Sequence, residues 1–124
     1  MKTIKVTTDN KVSFVDVNFD DYKDIQRVIG GSFESVHTTR IARFFGEGVI
    51  LLVDEDGLFK DLPVNQLGCF FYGTMFHGHP IVGDLILAKA VGEDWTAPDD
   101  VEELMGRLLK TFNLEEVKED GNED

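Results

Sequence analysis

The sequence predicts an α+β domain: a small, twisted, mainly antiparallel sheet, with a barrel-like curl as one form of it, and two or three helices. Three observations predict it. Val49-Ile50-Leu51-Leu52-Val53 is apolar at every position, as a strand buried on both faces requires, and the run from Ile81 to Ala88 is nearly so. Asp9-Asn10 and Asp54-Glu55-Asp56-Gly57 read as tight turns that send the chain back antiparallel. Val101, Leu104, Met105, Leu108, Leu109 and Phe112 fall at helical spacing on one face.

Taken in order, Lys2 to Thr8 alternates, with Ile4 and Val6 against Lys5 and Thr7, and Val12 to Val17 is its returning strand. Asn18 offers an N-cap, Asp20 and Asp21 suit a first turn, and Tyr22, Ile25, Val28 and Ile29 share a face that Gly30-Gly31 ends. Ser32 to Thr39 reads as a strand, and Arg40 to Gly48 as a connection of open form. After Val49–Val53 and its turn, Leu58-Phe59 is expected to return as a short strand. Asn65 is placed to cap a short helix over Gln66 to Tyr72, closed by Gly73, and Thr74 to Pro80 is read as loop. Ile81 to Val91 is the last long strand, where Gly83-Asp84 marks a bulge or a close backbone approach. Thr96 with Asp99 resembles a capping box, and Pro98 is expected in the first turn of the C-terminal helix.

The length of 124 residues gives one domain, expected to span 1–114, with 115–124 a disordered acidic tail. No apolar run approaches the roughly 18 residues that span a bilayer, and Met1-Lys2-Thr3-Ile4-Lys5 lacks the apolar stretch of a signal peptide. One cysteine, Cys69, excludes an internal disulfide framework and fits a reducing compartment, so a cytoplasmic location without membrane contact is expected. The net charge of −12 is unevenly placed: residues 93–124 hold 12 acidic and 3 basic residues, and residues 1–92 hold 12 and 9. Direct binding of nucleic acid is disfavoured, because phosphate contacts need a basic face. Ten phenylalanines suggest a core of large plates, an apolar pocket or an interface.

Chemistry concentrates between Phe70 and Pro80, a stretch dense in aromatics, glycine and histidine. Cys69, His77 and His79, with His37 as a further ligand, are weighed as a metal site. A closed zinc site needs four ligands, and no CXXC or HXXXH pair supplies them, so neither metal nor cofactor is expected. Cys69 beside a histidine has the residue types of a nucleophile pair but sits inside an apolar helix, where a small core residue is the plainer reading. Glu34, Asp54, Glu55, Asp56 and Asp84 include the types for acid–base hydrolysis, although turn and bulge chemistry explains most of them. Phe33, Phe70, Tyr72, Phe76 and His77 have faces on which a base can stack, and Arg40 or Arg43 can meet a phosphate.

Ile29-Gly30-Gly31-x-Phe33-Glu34, Val53-Asp54-Glu55-Asp56-Gly57-Leu58, Leu62-Pro63-Val64-Asn65 and Ile81-Val82-Gly83-Asp84, in that order, resemble a domain-of-unknown-function family. Its members are small acidic proteins of phages, prophages and mobile elements of Firmicutes and their relatives, and the likeness runs from about Lys2 to Val91. The resemblance implies context rather than catalytic residues. Accessory phage proteins of this kind often counter host defence, one class as homo-oligomeric sponges that hold a nucleotide immune signal uncleaved. The implied ligand is a cyclic ADP-ribose-type signal or a cyclic dinucleotide, held in the infected host's cytoplasm. The expected contacts are Phe33, Glu34, Arg40, Arg43, Asn65, Tyr72, Thr74, His77, His79 and Asp84. Two alternatives stay open: an acidic inhibitor that binds a host defence protein, even as a DNA mimic, and a hydrolase of the same signal.

Overall fold

The computed structural model describes residues 1–118. Over them the chain forms five helices and one seven-stranded sheet, which is not closed. The mixed α+β architecture is therefore as expected, with more helices than the two or three read from the sequence and with an open sheet in place of a barrel.

The first hairpin forms as read: β1 (Lys2–Val6) pairs antiparallel with β2 (Lys11–Asp16), Ile4 opposite Phe14. Helix α1 (Tyr22–Ile29) follows. Its N-cap is Asp21, whose carboxylate accepts from the Lys23 amide, while Asn18 instead accepts from the Asp20 amide in the preceding turn. Ile25, Val28 and Ile29 are buried and Tyr22 is exposed, so Tyr22 stands off the apolar face assigned to it. Gly30 ends the helix at φ +109°, the left-handed conformation glycine adopts without a Cβ penalty.

Strand β3 (Phe33–Val36) is shorter than expected because Thr38 leaves the sheet to cap α2 (Thr39–Phe45), accepting from the Ile41 amide. Strand β4 (Val49–Asp54) is buried throughout, the reason for its unbroken apolar run. Val49, Leu51 and Val53 enter one core, while Ile50 and Leu52 enter the other.

The Asp54–Gly57 turn exists, but no strand returns at Leu58-Phe59. β4 is already paired on both edges, by β3 and by β5 (Leu85–Val91), so a returning strand has nothing to join. The chain coils instead. Asp54 Oδ1 accepts from the Asp56 amide, its Oδ2 meets Lys60 Nζ at 2.6 Å, and Leu62 N–H donates to Gly57. Phe59 is left 92% exposed.

Helix α3 (Gln66–Tyr72) has Asn65 as its cap and Gly73 as its left-handed stop, as predicted. The segment beyond, read as loop, opens with the one-turn helix α4 (Thr74–His77). Residues 81–84 precede β5 rather than belonging to it, and Gly83, at φ +82°, is where backbone and side chains crowd together. The Gly92-Glu93 turn then leads into β6 (Asp94–Thr96), which pairs with the end of β5. This strand takes the place of the capping box expected at Thr96. Helix α5 (Val101–Thr111) starts later, capped by Asp100, with Pro98 outside its first turn. Its Val101, Leu104, Met105 and Leu108 are buried, each stabilising by about 1.5–3 kcal/mol if fully withdrawn from water.

The sheet order is β3-β4-β5-β1-β2-β7. The last member, β7 (Glu115–Glu116), runs parallel to β2 inside the segment read as a tail, and Val117 N–H donates to Val12. The rest of that segment, 119–124, lies outside the described residues. Helix α1 covers one face of the sheet with the cluster of Val15, Ile25, Val28, Ile50, Leu52 and Ile86. Helices α2, α3 and α5 cover the other, around Ile4, Ile41, Leu51, Phe71, Leu87 and Leu108.

Candidate functional site

Six of the ten residues expected at a site gather on one surface, where α2, α3, α4 and the edge strand β3 meet. Tyr72 is its centre. As the last residue of α3 it is held where Gly73 redirects the chain, and its ring lies 4.6 Å from that of His77 and 5.0 Å from that of His79. Its hydroxyl and His79 Nε2 are 2.9 Å apart and share a hydrogen bond. His77 Nδ1 lies 3.1 Å from the Gly73 carbonyl, which fixes the imidazole over the turn that made it.

Arg40 approaches from the first turn of α2. Its Nη1 donates to the Phe70 carbonyl at 2.6 Å, and its guanidinium lies over the Phe70 ring, 4.5 Å from the centroid. The remaining N–H groups of Arg40 have no partner among the described residues. Two adjoining depressions share His37 and Tyr72. One, of about 470 Å³, runs along Thr38, Arg40, Tyr72 and His77; the other, of about 290 Å³, runs along Glu34, His37, Tyr72 and His79. Thr74 stands beside them with its hydroxyl oxygen shut from solvent and without a hydrogen-bond partner among the described residues.

The other four lie elsewhere. Arg43 is a turn further along α2, exposed, away from Tyr72 beside a neighbouring depression that it lines with Arg40, Phe44 and Phe70. Phe33 faces the α1 side and packs on Trp95 with ring centres 5.7 Å apart. Asp84 lies on that side too, 3.6 Å from Lys5 Nζ. Asn65 is fully buried: its Nδ2 donates to Val6 and Gly83 and its Oδ1 accepts from the Gly68 amide, so it has no group to offer a ligand. Its part is to tie α3 to β1 and to the approach to β5.

Thr38 is a residue of this surface that the sequence reading missed. Its hydroxyl donates to the Phe71 carbonyl at 2.8 Å while accepting from Ile41, locking α2 to α3 under the groove. The signal was present: Thr38 stands three residues before Ile41, and Ile41, Phe44 and Phe45 have helical spacing. Cys69 is engaged with the backbone of Ile81, and no three His, Cys, Asp or Glu side chains converge as metal ligands among the described residues.

The arrangement offers aromatic faces, two imidazoles and a partly engaged guanidinium around an open groove, on a small α+β domain with a covered sheet. The chain belongs to the DUF3846 family, a domain of unknown function, whose match covers residues 1–113. No curated protein and no solved structure matches it.

Proposed function

We propose that the protein binds a small nucleotide in the Tyr72 groove and sequesters it without breaking a bond. The carrying observation is the juxtaposition of the Tyr72, His77 and His79 rings with Arg40. A base stacks on the rings, and the free N–H groups of Arg40 meet a phosphate in charge-assisted hydrogen bonds. The specific form of the proposal is a phage anti-defence sponge in the host cytoplasm. Its ligand is a cyclic dinucleotide or a cyclic ADP-ribose-type signal, and its assembly is a homo-oligomer that buries the exposed Met75 and Phe76 beside the groove.

Thermal unfolding against a panel of these nucleotides tests it, followed by denaturation and mass spectrometry of the released ligand. Ligand at 100 times its dissociation constant stabilises by about 2.7 kcal/mol, a visible shift for a domain of this size. Tyr72→Ala and Arg40→Gln are expected to abolish that shift. A ligand recovered cleaved replaces sequestration by hydrolysis, and no shift with any nucleotide sinks the reading.

One observation bears on the alternative of a DNA-mimicking inhibitor. The acids around the start of α5 form no bare stripe: Asp99 pairs with Lys89, Glu102 with Lys2 and Glu103 with Arg107. Mimicry of a phosphate backbone needs unpaired carboxylates in line, so it ranks second.

A further inference from the structure

On the sheet face that α1 packs against, the part beside the helix that it does not cover holds a separate depression of about 490 Å³. Its floor is the first hairpin. Lys5 stands directly across from Ser13, and Lys11 follows on the same face of β2. Arg27 and Val28 of α1 form one wall; Val117 and Lys118, just past β7, form the other. Among the described residues, four of the chain's 12 basic residues thus line one groove with a single acid, Asp9, in a protein whose net charge is −12.

Two of these cations are incompletely satisfied. The Lys5 side chain is only 20% exposed, and its carboxylate neighbour, Asp84, is 3.6 Å away, beyond hydrogen-bond length. Lys11 Nζ stands 3.5 Å from Asp9 Oδ2, at the limit of that length, while the other oxygen of Asp9 accepts from the Thr7 hydroxyl. Arg27 is committed to Asp24 at 2.8 Å and acts as wall. A largely desolvated ammonium is costly until its donors are met. Lys5 is such a group, and with the more exposed Lys11 it flanks the Thr7 and Ser13 hydroxyls, in a space that admits a phosphate group.

We propose that this groove binds a small phosphate-bearing anion, with Lys5 and Lys11 donating to its oxygens. The groove lies on the opposite face of the sheet from Tyr72 and stands independently of the function proposed above. Duplex nucleic acid is not the occupant, because Asp9, Asp24 and Asp84 border the cations and leave no extended basic face.

Inorganic pyrophosphate titrated into the full chain at low salt, followed by calorimetry and by amide chemical shifts, tests the proposal. One saturable site is expected, with the largest shifts at Thr7, Ser13 and Val117. Lys11→Gln and Lys5→Gln each weaken binding by about tenfold or more, the loss of one charge-assisted hydrogen bond, and Arg40→Gln leaves it unchanged. Lys11→Gln is the deciding variant, since the Lys11 side chain is 42% exposed and its change does not threaten folding. Adenosine diphosphate run in parallel distinguishes the source: tighter binding than pyrophosphate at the same amides assigns a nucleotide, and weaker binding assigns a bare phosphate. Absence of pyrophosphate binding, shifts centred on Tyr72 and His77, or a Lys11→Gln protein that binds as tightly as wild type each overturn the proposal.

Discussion

Replacing Asn65 by alanine is expected to cost about 3–4 kcal/mol, although the residue touches no solvent and is separated from β1 by some sixty positions in the chain. The magnitude follows from its three bonds. Loss of the cap on Gly68 costs about 1 kcal/mol, and withdrawing the side-chain donor from the buried Val6 and Gly83 carbonyls costs about 1 kcal/mol or more each. Against a typical domain stability of about 5–15 kcal/mol this is a large fraction. Urea unfolding measures it directly, and the midpoint should fall by roughly 1–4 M. A loss below about 1 kcal/mol would refute the claim that Asn65 joins three elements. Asn65→Asp sharpens the test. It keeps the cap acceptor but turns an oxygen toward two carbonyl oxygens, so its folded pKa is raised above the unfolded value. The variant's relative stability should therefore be greatest at low pH and be lost as pH rises through that folded pKa. The opposite slope would mean that the side chain at this position does not face the Val6 and Gly83 carbonyls.

Gly68→Ala places a Cβ 2.8 Å from Ile81 and 2.9 Å from Leu85, where α3 rests on the residues leading into β5. Overpacking of about 1–3 kcal/mol should exceed the roughly 1 kcal/mol gained in helix propensity, and a lowered Tm checks it. Phe59→Ser should change stability by no more than about 0.5 kcal/mol in urea unfolding, because the ring is in solvent; a paired hairpin strand would lose more. Asp24 is held below the usual carboxylate range, first by its hydrogen bond to Arg27 and then by the Asn18 amide. Its contribution is present above the unfolded pKa, near 4, and is lost as pH falls through the lower folded value. Asp24→Asn should accordingly flatten the acid limb of the stability profile, read as urea midpoints between about pH 2 and 5.

The elements legible in the sequence are those whose signal is local. The Lys2–Asp16 hairpin, α3 with Asn65 before it and Gly73 after it, and the apolar face of α5 depend on neighbours within a few residues. What was misread depends on the far partner. Leu58-Phe59 looks like a returning strand only until both edges of β4 are seen to be taken. Glu115-Glu116 joins the sheet because β2 has a vacant edge beside it, which charge density alone does not reveal. The site followed the same rule. Tyr72, His77 and His79 are close in sequence and were found together, and Arg40 was reached through its residue type. Asn65 enters the expected contacts only through the Leu-Pro-x-Asn motif of the resemblance, and a motif does not show that its bonds reach 59 residues to Val6.

The charge distribution gains meaning once the two faces of the sheet are separated. An anionic ligand approaching a protein of net charge −12 is repelled at a distance, but that field is screened over about 8 Å at physiological salt. At contact only the nearest groups count. The Tyr72 groove answers with stacking surface and one guanidinium, a combination that favours a ligand with a flat base. The β1–β2 groove answers with Lys5 and Lys11 over hydroxyls and little aromatic surface, which favours the phosphate itself. The two therefore differ in salt response. Binding at the lysine groove should weaken steeply as salt rises from 50 to 200 mM, while binding at Tyr72 retains its stacking share. That difference, measured with Lys11→Gln and Tyr72→Ala side by side, assigns any nucleotide that binds to one face or the other.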